Sequence, residues 1–156
     1  MTIAPPASVV EHHRRLFAFD YWANVTALDA VEPVHERVPT AIARLNHILG
    51  ASRVWLSRVS GEAAPFGLEA SFDCAALRRE FAAADAGWAA FLARPGVDLS
   101  RVITFRGTHR VSVADVLTHV PVHGQQHRGQ INLDLRAAGI DPPLLDYVHA
   151  ASLGKF

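Results

Sequence analysis

Apolar residues return at helical spacing along four long stretches of this 156-residue chain, and each stretch is bracketed by residues that start and stop helices. Ser8 with Glu11 makes a capping-box start, and Val9, Leu16, Phe17, Tyr21, Leu28 and Val31 carry a first helix to a stop at Pro33. A second follows Pro39 through Ile42, Leu45, Leu49, Leu56 and Val59 to a turn at Gly61. Loop-like residues up to Ser71 precede a third, which begins near Asp73, sets Leu77, Phe81, Ala84, Trp88, Phe91 and Leu92 on one stripe, and breaks at Pro95 and Gly96. Residues Arg101 to Arg106 and His109 to Val111 flank Gly107 and Thr108 as a short hairpin. Ser112 with Asp115 opens a fourth helix that runs to Ala138 and ends on Gly139, with Pro142 and Pro143 beyond. Segments of roughly 20 to 25 residues exceed the ordinary globular helix. The expected fold is therefore all-α: one domain over residues 1–156, a four-helix bundle with a short β-hairpin between helices three and four.

Half the residues are apolar, enough for a real core at this size. Fifteen basic residues balance fifteen acidic ones, and no Lys or Arg run marks a nucleic-acid footprint, so nucleic acid is not an expected partner. Cys74 is the single cysteine, which excludes an internal disulfide and fits a reducing compartment. No run of about 18 apolar residues offers a membrane span, and the start lacks the basic-then-apolar order of a secretion signal. The expectation is a cytoplasmic protein with no membrane partner.

Histidine is the unusual component. His119, His123 and His127 stand four apart on helix four, where neighbours at that spacing lie about 40° apart around the axis, so two adjacent imidazoles can reach one metal ion. Val113, Leu117, Val120, Gly124, Ile131 and Leu135 define the core line of this helix. His127 falls about 40° from it, His123 about 80° and His119 about 120° at 100° per residue. His127 should be buried, His123 flanking and His119 near the rim. Gly124 lies on the core line, where a missing side chain lets something approach the backbone closely, and Pro121 removes one hydrogen bond beside the histidines. The plainer alternative is that each histidine simply hydrogen-bonds to a neighbouring helix. Helix one carries His13, Asp20 and Asn24 on its apolar stripe, beside Phe17 and Tyr21. Either these form an internal hydrogen-bond network, or Asp20 or Asn24 orients a metal ligand or touches a substrate. His12, His35, His109 and His149 fall at loops or helix edges and carry no expected role.

Leu45-Asn46-His47-Ile48-Leu49-Gly50-Ala51 with Trp55-Leu56, the run His123-Gly-Gln-Gln-His127-Arg128-Gly129-Gln130-Ile131, and the tail from Ala138 to Asp146 together resemble the DinB family, also described as YfiT-like metalloenzymes. Leu16 to Asn24 is similar to that family's opening helix. The resemblance implies a four-helix bundle holding one divalent metal ion through three histidines, which map onto His47, His123 and His127. It also implies homodimers, and a range of activities that includes thiol-dependent transferases and an isomerase using a low-molecular-weight thiol. Periodicity alone would not select His47, which sits roughly 150° from the apolar stripe of helix two. The two agree if the metal lies in an off-centre groove where helices two and four diverge.

Three neutral imidazoles suit Zn, Ni or Fe(II) and leave positions open for water or substrate. The zincin arrangement is absent, because Gly124 stands where HExxH needs its glutamate base. Hydrolysis would need a base from elsewhere, with Asp20 the candidate, whereas activation of a thiol cosubstrate needs less help. Cys74 reads either as a buried apolar thiol or as a nucleophile at a helix start. Neither a phosphate-cradling glycine loop nor a GxSxG elbow is present. Three readings follow: an S-transferase or isomerase joining a small thiol to a small electrophile, a metallohydrolase, and a non-catalytic, stress-associated metal-binding bundle. Phe19, Trp22, Val54 and Trp55 lie off the main stripes, which with the resemblance predicts a homodimer.

Overall fold

The computed structural model describes residues 8–156; Met1 to Ala7, at the start of the chain, lie outside the described residues. The elements are α1 (Val9–Val31), a 3-10 helix (Glu32–Arg37), α2 (Pro39–Ser60), α3 (Cys74–Leu92), β1 (Val102–Phe105), β2 (His109–Ser112), α4 (Val113–Ala137) and α5 (Tyr147–Ser152). Local chemistry accounts for the ends. Ser8 Oγ accepts from the Glu11 N–H at 3.1 Å, but the Glu11 carboxylate turns to Arg14, so only half of that capping box forms. At α4 both halves are present between Ser112 and Asp115. Gly61 and Gly139 take φ of 79° and 74° just past α2 and α4, the left-handed region that ends a helix without a Cβ clash. Pro33 does not end the helical path; it stands in the first turn of the 3-10 helix, where its missing N–H is no loss. The hairpin pairs Val102 with Ser112 and Phe105 with His109, around a turn in which Arg106 and Gly107 both have positive φ.

In the bundle, α1 and α2 face each other diagonally, and each packs mainly against α3 and α4. Leu28, Leu45, Leu49, Leu77, Ile131 and Leu135 form the heart of one buried cluster. Phe17, Val59, Trp88, Phe91, Val113 and Leu117 form a second. There Phe17 stacks on Trp88 at 4.4 Å, and Trp88 Nε1 donates to Ser52 Oγ at 2.9 Å, so the indole is buried with its polar atom satisfied.

Of the side chains expected to mark an interface, Phe19 is covered within the chain, while Trp22, Val54 and Trp55 are half-buried. Phe19 is 4% exposed and meets Tyr147 and Phe156 edge-on at 5.1 and 5.6 Å. Trp22 packs against the first cluster, and Trp55 lies edge-on to Phe105 at 5.1 Å. Helix four is the last element that periodicity marks, so α5 and the C-terminal rings that cover Phe19 go beyond what the pattern foresees. Large apolar side chains left exposed include Val122 and Leu133 of α4, Leu144 ahead of α5 and Val148 on α5. Among the described residues no helix is long and apolar enough to cross a membrane.

Candidate metal centre

The packing of α2 against α4 brings together three imidazoles from sequence positions far apart. His47 comes from α2, and His123 and His127 lie one turn apart on α4. His47 Nε2 stands 3.3 Å from His123 Nε2, which stands 3.1 Å from His127 Nε2, and one ring nitrogen from each of the three lies within 4.8 Å of the others. Nitrogens bound to a single ion at about 2.0–2.1 Å sit roughly 3.3 Å apart when the geometry is tetrahedral. The donor set therefore fits one divalent ion. His12, His35, His109, His119 and His149 do not join the group.

The proton on His127 is placed by its neighbour. Its Nδ1 lies 2.8 Å from Gln130 Oε1, and Arg44 Nη1 of α2 donates to the same oxygen at 2.8 Å. An atom that receives a guanidinium proton is the amide oxygen, so His127 Nδ1 is the protonated nitrogen and Nε2 keeps its lone pair facing the other rings. Arg44 Nε continues to Asp134 at 3.0 Å, binding α2 to α4 beside the cluster. Sequence reasoning missed Gln130; the available signal was its i+3 spacing from His127 on the same helix face. Burial first, and then the charges of His127, His47 and His119, push His123 down to about 4. Burial and His127 also lower His47, against an opposing pull from the Glu69 carboxylate, and burial lowers His119. His47, His119 and His123 are thus favoured in the neutral form a metal requires.

Asp20 and Asn24 are engaged elsewhere. Arg128, fully buried, donates through Nη1 to Asp20 Oδ1 and to Asn24 Oδ1, both at 2.6 Å, and Asn24 Nδ2 donates to Asp20 Oδ2 at 3.1 Å. Of the two expectations for these residues, their hydrogen bonds form the internal network and reach none of the three imidazoles. Burial pushes the Asp20 carboxyl up while Arg128 and Asn24 pull it down; both of its oxygens accept from N–H donors, the arrangement of a carboxylate paired with the guanidinium. Gly124 makes room for it, because a Cβ there would stand 2.7 Å from Asp20 Oδ1 and 2.8 Å from Arg128 Nη1. Arg128 also corrects the wheel: it takes the core line, so His127 is half-buried like His123 rather than buried, and His119 is exposed. An arginine at a core position is invisible to a hydrophobicity pattern; the polar pair on α1 was the sign that something charged faces it.

A groove of about 390 Å³ opens on His47 and His123, with Val54, Trp55, Leu68, Phe105 and His119 among its walls. Gly50 shapes one side, since Leu68 Cα would lie 3.1 Å from a Cβ there, and this lets the 61–73 loop lie directly on α2. Cys74 packs at the edge of the first apolar cluster, and its thiol is pushed up by burial and by Glu32 and Asp73, the opposite of an activated nucleophile.

A family model described as the DinB superfamily matches residues 10–131, a stretch that holds all three imidazoles. No curated protein and no solved structure matches the chain.

Proposed function

We propose, since this chain belongs to the DinB superfamily and gathers three imidazole nitrogens at one point, that it binds one divalent ion through His47, His123 and His127 and works as a metal-dependent enzyme of thiol S-transferase or isomerase type on a small electrophile. The observation that carries this reading is the close approach of the three ring nitrogens from two helices, at separations suited to a shared ion. When bound, Zn, Ni or Fe(II) in such a set supplies a Lewis acid with positions open to an incoming ligand, able to lower the pKa of a thiol.

The chain's own residues do the rest of the work. Gln130 and Arg44 hold the His127 proton on Nδ1, so the ring presents its bare Nε2 without rearranging. Trp55, Phe105 and Val54 give the groove beside His123 an apolar wall, which suits the body of a small organic electrophile and limits water around it. Asp20 is committed to Arg128 and is poorly placed to activate water, which weighs against simple hydrolysis. One observation keeps a metallohydrolase as second reading: Glu69, on the loop over α2, exerts its charge on His47 and is a carboxylate near the cluster.

Elemental analysis of untagged protein should find about one divalent ion per chain, with most of the occupancy lost in His127→Ala and little in His119→Ala. Full occupancy in the His123→Ala, His127→Ala double variant would overturn the site. A panel of low-molecular-weight thiols against a chromogenic aromatic electrophile, with metal-loaded and chelated protein, tests the reaction. Turnover should require both metal and thiol and should survive Cys74→Ser. Rates equal to the uncatalysed background with every thiol would favour the non-catalytic bundle, and metal-dependent ester cleavage without thiol would favour the hydrolase.

A further inference from the structure

The groove beside the imidazoles has a stretch lined by two arginines, Arg58 and Arg106, that meet no carboxylate within ion-pair distance among the described residues. From His123 the ring contacts run to His119 at 5.4 Å, from His119 to Trp55 at 5.4 Å, and from Trp55 to Phe105 at 5.1 Å. Over these last two rings lies the Arg58 guanidinium, with Cζ 4.6 Å from the Trp55 centroid and 5.6 Å from that of Phe105. Arg106, in the hairpin turn, lines the same groove. Arg44, Arg53, Arg78, Arg94 and Arg128 each meet a carboxylate within ion-pair distance, while among the described residues neither Arg58 nor Arg106 does. A guanidinium held against the face of one ring with a second ring beside it, and with no carboxylate in ion-pair reach, loses less freedom when an anion arrives, which suits it to a planar carboxylate.

We propose that the groove takes a small organic carboxylate with an aromatic or apolar body: the carboxylate on Arg58 and Arg106, the body against Trp55 and Phe105, and the far end at the imidazole cluster. Only the last contact rests on the metal-dependent reading above. The ligand class is thereby narrowed from any small thiol or electrophile to one that carries a negative charge away from its reacting end.

The test is calorimetric titration of the whole chain, zinc-loaded and metal-free, with 4-mercaptobenzoate and its neutral counterpart 4-mercaptobenzamide. Wild-type protein should bind the carboxylate roughly tenfold or more tighter than the amide, as expected when a charge-assisted hydrogen bond is present in one complex and missing from the other. In the Arg58→Gln, Arg106→Gln double variant the ratio should fall to near one while the amide affinity stays put; both side chains are accessible in the groove, and an unchanged thermal midpoint would confirm the fold. Equal affinity of wild-type protein for the two ligands, no binding of either, or selectivity that survives in the double variant would each overturn the proposal. Carboxylate selectivity with no gain from zinc would support the groove and count against the metal reading. Zinc binding without selectivity would do the reverse.

Discussion

One amide oxygen, Gln130 Oε1, decides where the His127 proton sits, and one carboxylate, Asp20, balances a fully buried guanidinium. These two residues should therefore fail in opposite ways. Gln130→Leu is expected to weaken zinc affinity by ~10- to 100-fold through loss of the ring's orientation, with the fold intact. Asp20→Asn leaves Arg128 buried and unpaired, a destabilisation of about 3–5 kcal/mol, while zinc affinity of the protein that remains folded should be unchanged. Denaturant melts and zinc titrations on the same samples separate the outcomes; weakened zinc binding with undiminished stability in Asp20→Asn would return that residue to the metal site. The sequence made Asp20 and Asn24 legible as polar residues on a core line. It did not reveal their partner, because Arg128 reads as a surface charge until a second helix buries it.

The ends of the long helices were legible because caps are local: Ser112 with Asp115, Gly61 and Gly139 each act within a turn of their own position. The 3-10 helix and α5 were not, since six residues carry too little periodicity to stand out and hold their shape through packing. His47 shows why a wheel can miss a site. The wheel assumes one core per helix, whereas this ring lies at the exposed rim between α2 and α4, where the family resemblance and not the apolar stripe located it. On α4, Gly124→Ala tests how tightly α1 is held. A helical alanine should gain about 1 kcal/mol, but a Cβ at 2.7 Å from Asp20 Oδ1 must displace the ion pair, an overpacking worth about 1–3 kcal/mol. The expected net result is a lower thermal midpoint by scanning calorimetry; a higher one would mean the pair yields easily.

For the molecule as a whole, acid acts through the histidines. His13, His47, His119 and His123 all have pKa values lowered by burial, His123 to about 4 against an ordinary 6.5. Between those limits the unfolded chain binds protons that the folded chain refuses, so stability falls as the pH falls from about 6.5 towards 4. Thermal midpoints of metal-free protein should drop across this window, with a shallower slope in His123→Gln, and a flat profile would contradict the lowered values. We propose too that the molecule is a homodimer: beside the half-buried Trp22, Val54 and Trp55, Val122 and Leu133 lie about 20° apart around α4 at eleven residues' spacing and are both exposed. Light scattering at tens of micromolar should report twice the chain mass, and a monomer would count against it. The network under Gly124 has one more consequence, which concerns time. Asp20 precedes Arg128 by 108 positions and His47 precedes His123 by 76, a delay of roughly 4–15 s for the second pair at ordinary rates of synthesis. A ribosome thus releases an acid without its counter-ion and an imidazole without its companions, and the docking of the last long helix completes both at once. An ion held by all three imidazoles would in this way have to wait until α4 has been made.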